Sequence, residues 1–299
     1  MNYKTKGERV FDVFNYLLIS AIVFACIAPM WYVLMASLSN PIELMRTTGM
    51  FWLPRGEITL EGYRLVLNNP NILTGYRNTI IILVMGVSIN MFMTTLGGYV
   101  LSRKYVMWNR PLTLLIVFTM YFSGGMIPGF LLISQTLGWQ DSFLALTVPG
   151  ALSTFNLIIC RTAFRSIPDS LEESARLDGA NDFIILYRIM IPLSKAMLAV
   201  LALFYAVGHW NAWFGAMLFM RRPDMHPLQL VLRTILINND LEAMGPVDAV
   251  TGGAGDLVDM ARLLVQYATI VVATLPILSI YPFLQKYFVK GVMIGSVKG

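Results

Sequence analysis
The stretch Pro168–Pro192, PDSLEESARLDGANDFIILYRIMIP, is charged and helix-competent yet lies between long apolar segments. Asp169 can cap a helix, and Glu172 three residues later would complete a capping box. The run Ser170–Asp178 follows, and Gly179 supplies the left-handed residue that ends it. A second helix can start at Asn181 or Asp182 and carries Phe183, Ile184, Leu186, Tyr187, Ile189 and Ile191 towards Pro192. The sequence therefore describes a short capped helix, a glycine turn and a second helix re-entering an apolar segment. Leu171, Ala175 and Leu177 are its expected buried apolar side.

The chain as a whole is too apolar for a soluble protein. It is 57% hydrophobic and 13% charged with mean hydropathy +0.65, whereas about a quarter of a soluble chain is charged. The net charge of +5 comes from residues scattered over loops between apolar runs, a topological pattern and not a nucleic-acid footprint. Cys26 and Cys160 both fall inside apolar runs and read as small buried hydrophobes.

Six runs approach the roughly 20 apolar residues that a membrane-crossing helix needs: residues 13–37, 77–101, 112–133, 142–164, 193–219 and 266–288. Val23-Phe24-Ala25-Cys26 faintly resembles a lipoprotein cleavage box, but the apolar run continues through Leu38, which favours an uncleaved first span. All seven lysines, with Arg9, Arg103, Arg110, Arg161, Arg165, Arg176 and Arg188, fall on one set of alternate connections. By the positive-inside rule both termini are cytoplasmic, and so is the segment 166–192. The fold expected is all-α and integral to the membrane, one transmembrane domain over 1–299. Long outer loops cover 39–76 and 221–265.

Loops of that length are usually functional. The second contains GGAGD at 252–256 and a scatter of acidic residues. Breakers punctuate the spans at Pro29, Gly97-Gly98, Gly124-Gly125, Pro149-Gly150, Gly208 and Pro276, as in helices that pack closely or move past one another. Polar residues at membrane depth are Asn90, Gln135, Asn156, His209 and Asn211; such residues usually face a bundle interior or a water-filled path.

The pattern Glu173-Ser174-Ala175, three residues, Gly179, nine residues, Ile189-x-Ile191-Pro192 resembles the "EAA" loop of ABC-importer permeases. Ser174 stands for an alanine and Ile191 for a leucine. Asp178-Gly179-Ala180 matches the form common in sugar-importer permeases, and Trp210-Asn211-Ala212-Trp213 their fifth-span Trp-Asn element. Asn78-Thr79 and the tail Gln285–Gly291 through Gly299 fit the smaller, maltose-type subunit. The likeness covers the whole chain and leans towards the aldouronate or alginate-oligosaccharide branch.

The resemblance implies a type I importer permease with six spans in the inner membrane. Its loop would dock in a cleft of a cytoplasmic ATPase dimer through Glu172, Glu173, Ser174, Ala175, Asp178, Gly179, Ala180, Ile189 and Pro192. Glu173 would pair with a basic residue of that ATPase. A second homologous permease subunit, an extracytoplasmic solute-binding protein, membrane lipid and an oligosaccharide complete the expected partners, with no nucleic acid. ATP and Mg would sit on the ATPase, and no cofactor on this chain. Tyr205, His209, Trp210, Asn211, Trp213 and Asn156 are candidates for the sugar path, with helix packing as the alternative for each.

The chain has no Gly-Lys dipeptide and hence no P-loop. It carries no His-Glu-x-x-His and no catalytic constellation, so it is expected to be a transport subunit and not an enzyme. A secondary carrier would need an intramembrane ion relay or an inverted repeat, and neither is evident. A permease for another sugar or a polyol stays open.

Overall fold
The structure, a computed structural model, describes residues 5–237 and 255–296, with side chains described as far as Ser279 except at 6 and 255–258. Every regular element among the described residues is helical. Two compact units divide the chain: residues 1–70 with 234–276, and residues 71–233 with 277–299.

The first unit begins with α1 (Lys6–Ser37), capped by a true box in which Thr5 and Glu8 exchange bonds. Along α1, Val10, Phe11, Phe14, Leu17 and Phe24 are all exposed. A stripe of bare apolar side chains this long is suited to lipid. The connection that follows is knitted rather than loose. Ser39 Oγ donates to Met35 O at 2.7 Å and accepts the Arg55 amide at 2.9 Å. Asn40 caps the short helix Pro41–Arg46, and Met35, Ala36, Leu44 and Phe51 form a small core beneath it.

The second unit starts on α2 (Pro70–Ser102), which crosses without interruption. Three of the expected stretches are built from shorter pieces. Residues 112–133 comprise the end of α3 (Asn109–Phe118) and α4 (Met126–Leu131), which continues as a π turn over Leu132–Thr136. Residues 142–164 comprise Leu144–Thr147 and most of α5 (Thr154–Arg165). Gly124-Gly125 and Pro149-Gly150 lie in these gaps, where a missing Cβ or a missing N–H ends the hydrogen-bond ladder. By contrast Pro29, Gly97-Gly98, Gly208 and Pro276 sit inside continuous helices.

After α5 come α6 (Asp169–Leu177) and α7 (Asp182–Leu193), the latter with a π turn over Leu186–Met190. Next is α8 (Lys195–Asn211), bent 86° from α7. A break at Ala212-Trp213 separates α8 from α9 (Phe214–Phe219), and α10 (Leu228–Ile237) follows. The last helix, α11 (Gly255–Ser296), runs past the expected end at 288. The side chains of the tail Gln285–Gly291, residues 297–299 and most of the GGAGD loop lie outside the described residues.

Two expectations for the central stretch are corrected here. Asp169 does not cap α6: Pro168 occupies the N-cap without a side-chain bond, and Asp169 is already helical. The capping box is absent because both carboxylates are drawn to cations far away in sequence. Leu177 is not buried but 89% exposed, and Leu171 is 43% exposed.

Candidate functional site
Gly179 has φ +83°, a conformation open to glycine and strained for other residues. Its amide donates to Arg176 O at 3.0 Å, and the Ala180 amide to Ala175 O at 2.9 Å. This closes α6 and turns the chain. Asn181 then caps α7 through Ile184 N at 2.9 Å. Beneath the turn, Ala175 and Ala180 pack on a core of Tyr99, Cys160, Phe164, Ile185, Leu186 and Met190. Ile189 is half-buried, while Pro192 and Asp178 are exposed.

The two-helix knob is latched to the end of α2 by a buried ion pair. Arg103 is 4% exposed and Glu172 6%, and the guanidinium donates directly to the Glu172 carboxylate. The remaining Arg103 donors reach Ser102 Oγ at 2.9 Å and Phe164 O at 3.1 Å. Such satisfaction is what a buried charge requires. Glu172 also accepts from Arg176 at 2.9 Å. Arg176 bridges onward to the Tyr105 hydroxyl at 2.6 Å and to Asp182.

Asp182 also accepts from Tyr99 at 3.0 Å and Tyr105 at 3.1 Å. Burial works to raise its carboxyl, but the bonds from Tyr99, Tyr105 and Arg176 outweigh it and hold the group below its ordinary range. Outside this network, Lys104 pairs with Asp169 at 2.7 Å and lowers that carboxyl as well. Glu173 and Ser174 point the other way. Both are exposed, and the Glu173 carboxylate has no partner among the described residues. Adjacent glutamates thus have opposite fates: one fastens the knob inward and the other faces outward.

Within the spans, Asn90 is fully buried. Its amide donates to Gly150 O at 2.6 Å, and its carbonyl accepts from His209 Nε2 at 2.7 Å. His209 lies so close to α2 that a Cβ on Gly86 would stand 2.4 Å from Nε2. The buried Tyr205 hydroxyl meets Thr94 Oγ1 at 2.7 Å and accepts the Ser153 amide at 3.1 Å. Asn156 is buried too. Trp210 is buried, and its Nε1 has no partner among the described residues. Asn211, by contrast, is exposed and donates to Val207 O at 2.9 Å. Arg233 lies 4.4 Å over the half-buried Trp213 ring. Near the far end, Asn78 donates to the carbonyls of Asp224 (2.9 Å) and His226 (3.1 Å), and Thr79 accepts Leu228 N at 2.9 Å.

Residues 95–294 match the family described as "Binding-protein-dependent transport system inner membrane component". The chain belongs to this family. The permease is a membrane transport subunit of an ABC importer and not an enzyme. It is 40% identical over 300 residues to Protein LplC of Bacillus subtilis (strain 168), covering 99% of this chain and 98% of that protein. It is 38% identical to the polygalacturonan/rhamnogalacturonan transport system permease protein YtcP of the same organism, covering 98% and 99%. Its fold matches a chain of a bacterial ABC transporter "involved in the import of the acidic polysaccharide alginate" with TM-score 0.86 and 32% identity, covering 96% of this chain and all of that one.

In the permease, three residues of the site escaped the sequence reading. Arg103 looked like a topological cation at the end of a span, and nothing local links it to Glu172. Asn90 was noted as polar at depth, but its pairing with His209 joins residues 119 apart. Arg233 falls within the loop expected at 221–265, and no local signal links it to Trp213.

Proposed function
We propose that the permease moves acidic oligosaccharides, delivered by a solute-binding protein, into the cytoplasm by alternating access. A second permease subunit and an ATPase dimer complete the assembly, with 166–192 as the cytoplasmic coupling loop of a single permease domain. The outer loops 39–76 and 221–265 face the binding protein. The division of labour between Glu172 and Glu173 carries this reading. The buried Arg103–Glu172 pair makes the knob rigid with α2. That leaves Glu173, Ser174, Leu171 and Leu177 as an outward face of one carboxylate among small and apolar groups. Such a face suits a cleft with a basic residue, and a rigid mount is what a transmitted stroke requires. Both termini are inside, as the lysine distribution indicates.

An acidic substrate is supported by relatives whose printed descriptions concern polygalacturonan and alginate. In this chain the cation for a uronate is Arg233, whose stacking on Trp213 sets a guanidinium beside a flat aromatic face. Aromatic faces suit sugar C–H surfaces, and a guanidinium fork suits a carboxylate. His209, Tyr205 and Asn156 serve as the polar frame around this path.

The test is a Ser174→Cys variant treated with a short thiol cross-linker in native membranes. It is expected to join a nucleotide-binding neighbour. Reaction of this cysteine only from the outer face would sink the reading.

A further inference from the structure
A basic pocket of about 380 Å³ opens beside the latch, lined by the end of α2, the start of α3 and the end of α5. That volume falls in the range of small-ligand sites, roughly 300–1,000 Å³. Five lining side chains are cationic (Arg103, Lys104, Arg110, Arg161 and Arg165) and none is acidic. Arg103 and Lys104 are answered from α6 by Glu172 and Asp169. Arg110, Arg161 and Arg165 have no carboxylate in ion-pairing range among the described residues. Arg161 uses its Nε on Leu101 O at 2.9 Å, which fixes it in the wall. Three guanidiniums without an ion-pair partner among the described residues, lining one cavity, suit a phosphate, whose oxygens match the guanidinium fork.

The surroundings say which kind of phosphate. Leu114 lines the pocket and is 62% exposed, and the same helix bares Leu112, Leu115 and Phe118. The cationic cavity therefore runs directly into an uncovered apolar helix face. A soluble anion has no use for that face, whereas an amphiphile can fill both.

We propose that this pocket holds the phosphate headgroup of an anionic phospholipid, with its acyl chains lying along α3. The site goes beyond the coupling assignment and takes only its leaflet, the cytoplasmic one, from it. Basic clefts at that level are where anionic headgroups gather. Lys104 is shared between the pocket and α6. A bound phosphate therefore competes with Asp169 for the ammonium and loosens the outer tie of the knob, leaving the Arg103–Glu172 pair in place.

The full chain, purified with the subunits that accompany it, is placed in nanodiscs of phosphatidylcholine with or without phosphatidylglycerol. Retained lipid is then counted by native mass spectrometry. Phosphatidylglycerol should be kept in preference to phosphatidylcholine. Arg110→Gln with Arg165→Gln should lower its retention about tenfold or more, since each cation at an anionic surface contributes roughly fivefold. Both residues are exposed, so the variant should fold, and unchanged protease protection of 168–192 checks this. The Arg110→Lys/Arg165→Lys variant should keep most of the retention; loss equal to that of the Gln pair would overturn the electrostatic account. Equal retention by wild type and the Gln pair would overturn the site. Displacement of the lipid by millimolar inorganic phosphate would show a soluble anion to be the ligand and overturn the lipid. Lipid counting requires neither transport nor ATP, so its failure is separable from failure of the Ser174 cross-link.

Discussion

The guanidinium of Arg103 closes on the carboxylate of Glu172 across 69 residues of sequence, and both side chains are more than nine-tenths buried. A carboxylate of the segment proposed as the coupling loop is thereby spent on holding that segment in place. This separates the fixing of the knob from whatever its outer face contacts.

Arg103→Met leaves Glu172 buried with Arg176 alone. Removing one partner of a buried pair costs about 3–5 kcal/mol, and the surviving Arg176 bond places this case at the lower end. Trypsin should cut 168–192 faster and uptake should fall. Adding Glu172→Leu should restore much of the protection, because no buried charge then remains unanswered. Wild-type protease resistance in the single variant would show that the pair does not hold the knob.

Gly179→Pro cannot reach φ +83° and loses the amide bond to Arg176 O. Glu173→Lys leaves every described contact of the knob intact but reverses its exposed charge. Both should abolish uptake while membrane insertion, read from fractionation, is unchanged. They should differ in protease sensitivity, with only the proline variant opened.

The Asp182 corner of the network should be insensitive to pH across the neutral range. Asp182 is held below its ordinary value of 3.8, so the unfolded loop binds its proton first as acid is added. Its contribution is complete above the ordinary carboxylate range and is lost as pH falls through the lowered value. Protection of 168–192, followed by brief proteolysis with an acid-tolerant enzyme, should be flat above about pH 5 and decline below about pH 4. A decline between neutrality and pH 6 would contradict the assignment.

Gly86→Val places side-chain carbon where His209 Nε2 sits. Overpacking of this kind costs about 1–3 kcal/mol and should break the Asn90–His209 bond, lowering thermal stability and transport together. Gly208→Ala, one residue away from His209, meets nothing within 4 Å and should be close to silent.

Arg233→Gln should reduce uptake of uronate oligosaccharides more than tenfold while affecting a neutral oligosaccharide little, since loss of a charged bond amounts to about 1.5–3 kcal/mol. Asn211→Ala with Trp213→Ala tests the path itself. Uptake that survives it assigns both residues to helix packing.

The glycine stop at 179 and the restart at Asn181 were legible because each follows from one residue's own backbone or side chain. Helical content was legible for the same local reason, whereas the breaks that split three of the six apolar runs were not: among the described residues three helices are long and apolar enough to cross a membrane, four if α7 and α8 form one bent span. The capping box was a misreading of a sound local signal. Asp169 and Glu172 have the right spacing, but Lys104 and Arg103 offer them full charges where the helix offers partial ones. Likewise the burial of Leu177 was inferred from one face of one helix, whereas packing at the turn is done by Ala175 and Ala180. Contacts such as Asn90 with His209, or Arg233 with Trp213, depend on which helices become neighbours, and no short window of sequence contains that information.

The 86° elbow at Ser194 turns the segment into a crank. Its short arm is the 12 residues from Asp182 to Leu193, about 18 Å, and its long arm the 17 residues of α8, about 26 Å. In the proposed mechanism, with the elbow moving as one rigid piece, a displacement of a few ångströms at the end of the short arm reaches the tip of α8 enlarged by roughly the ratio of the two lengths, about 1.4.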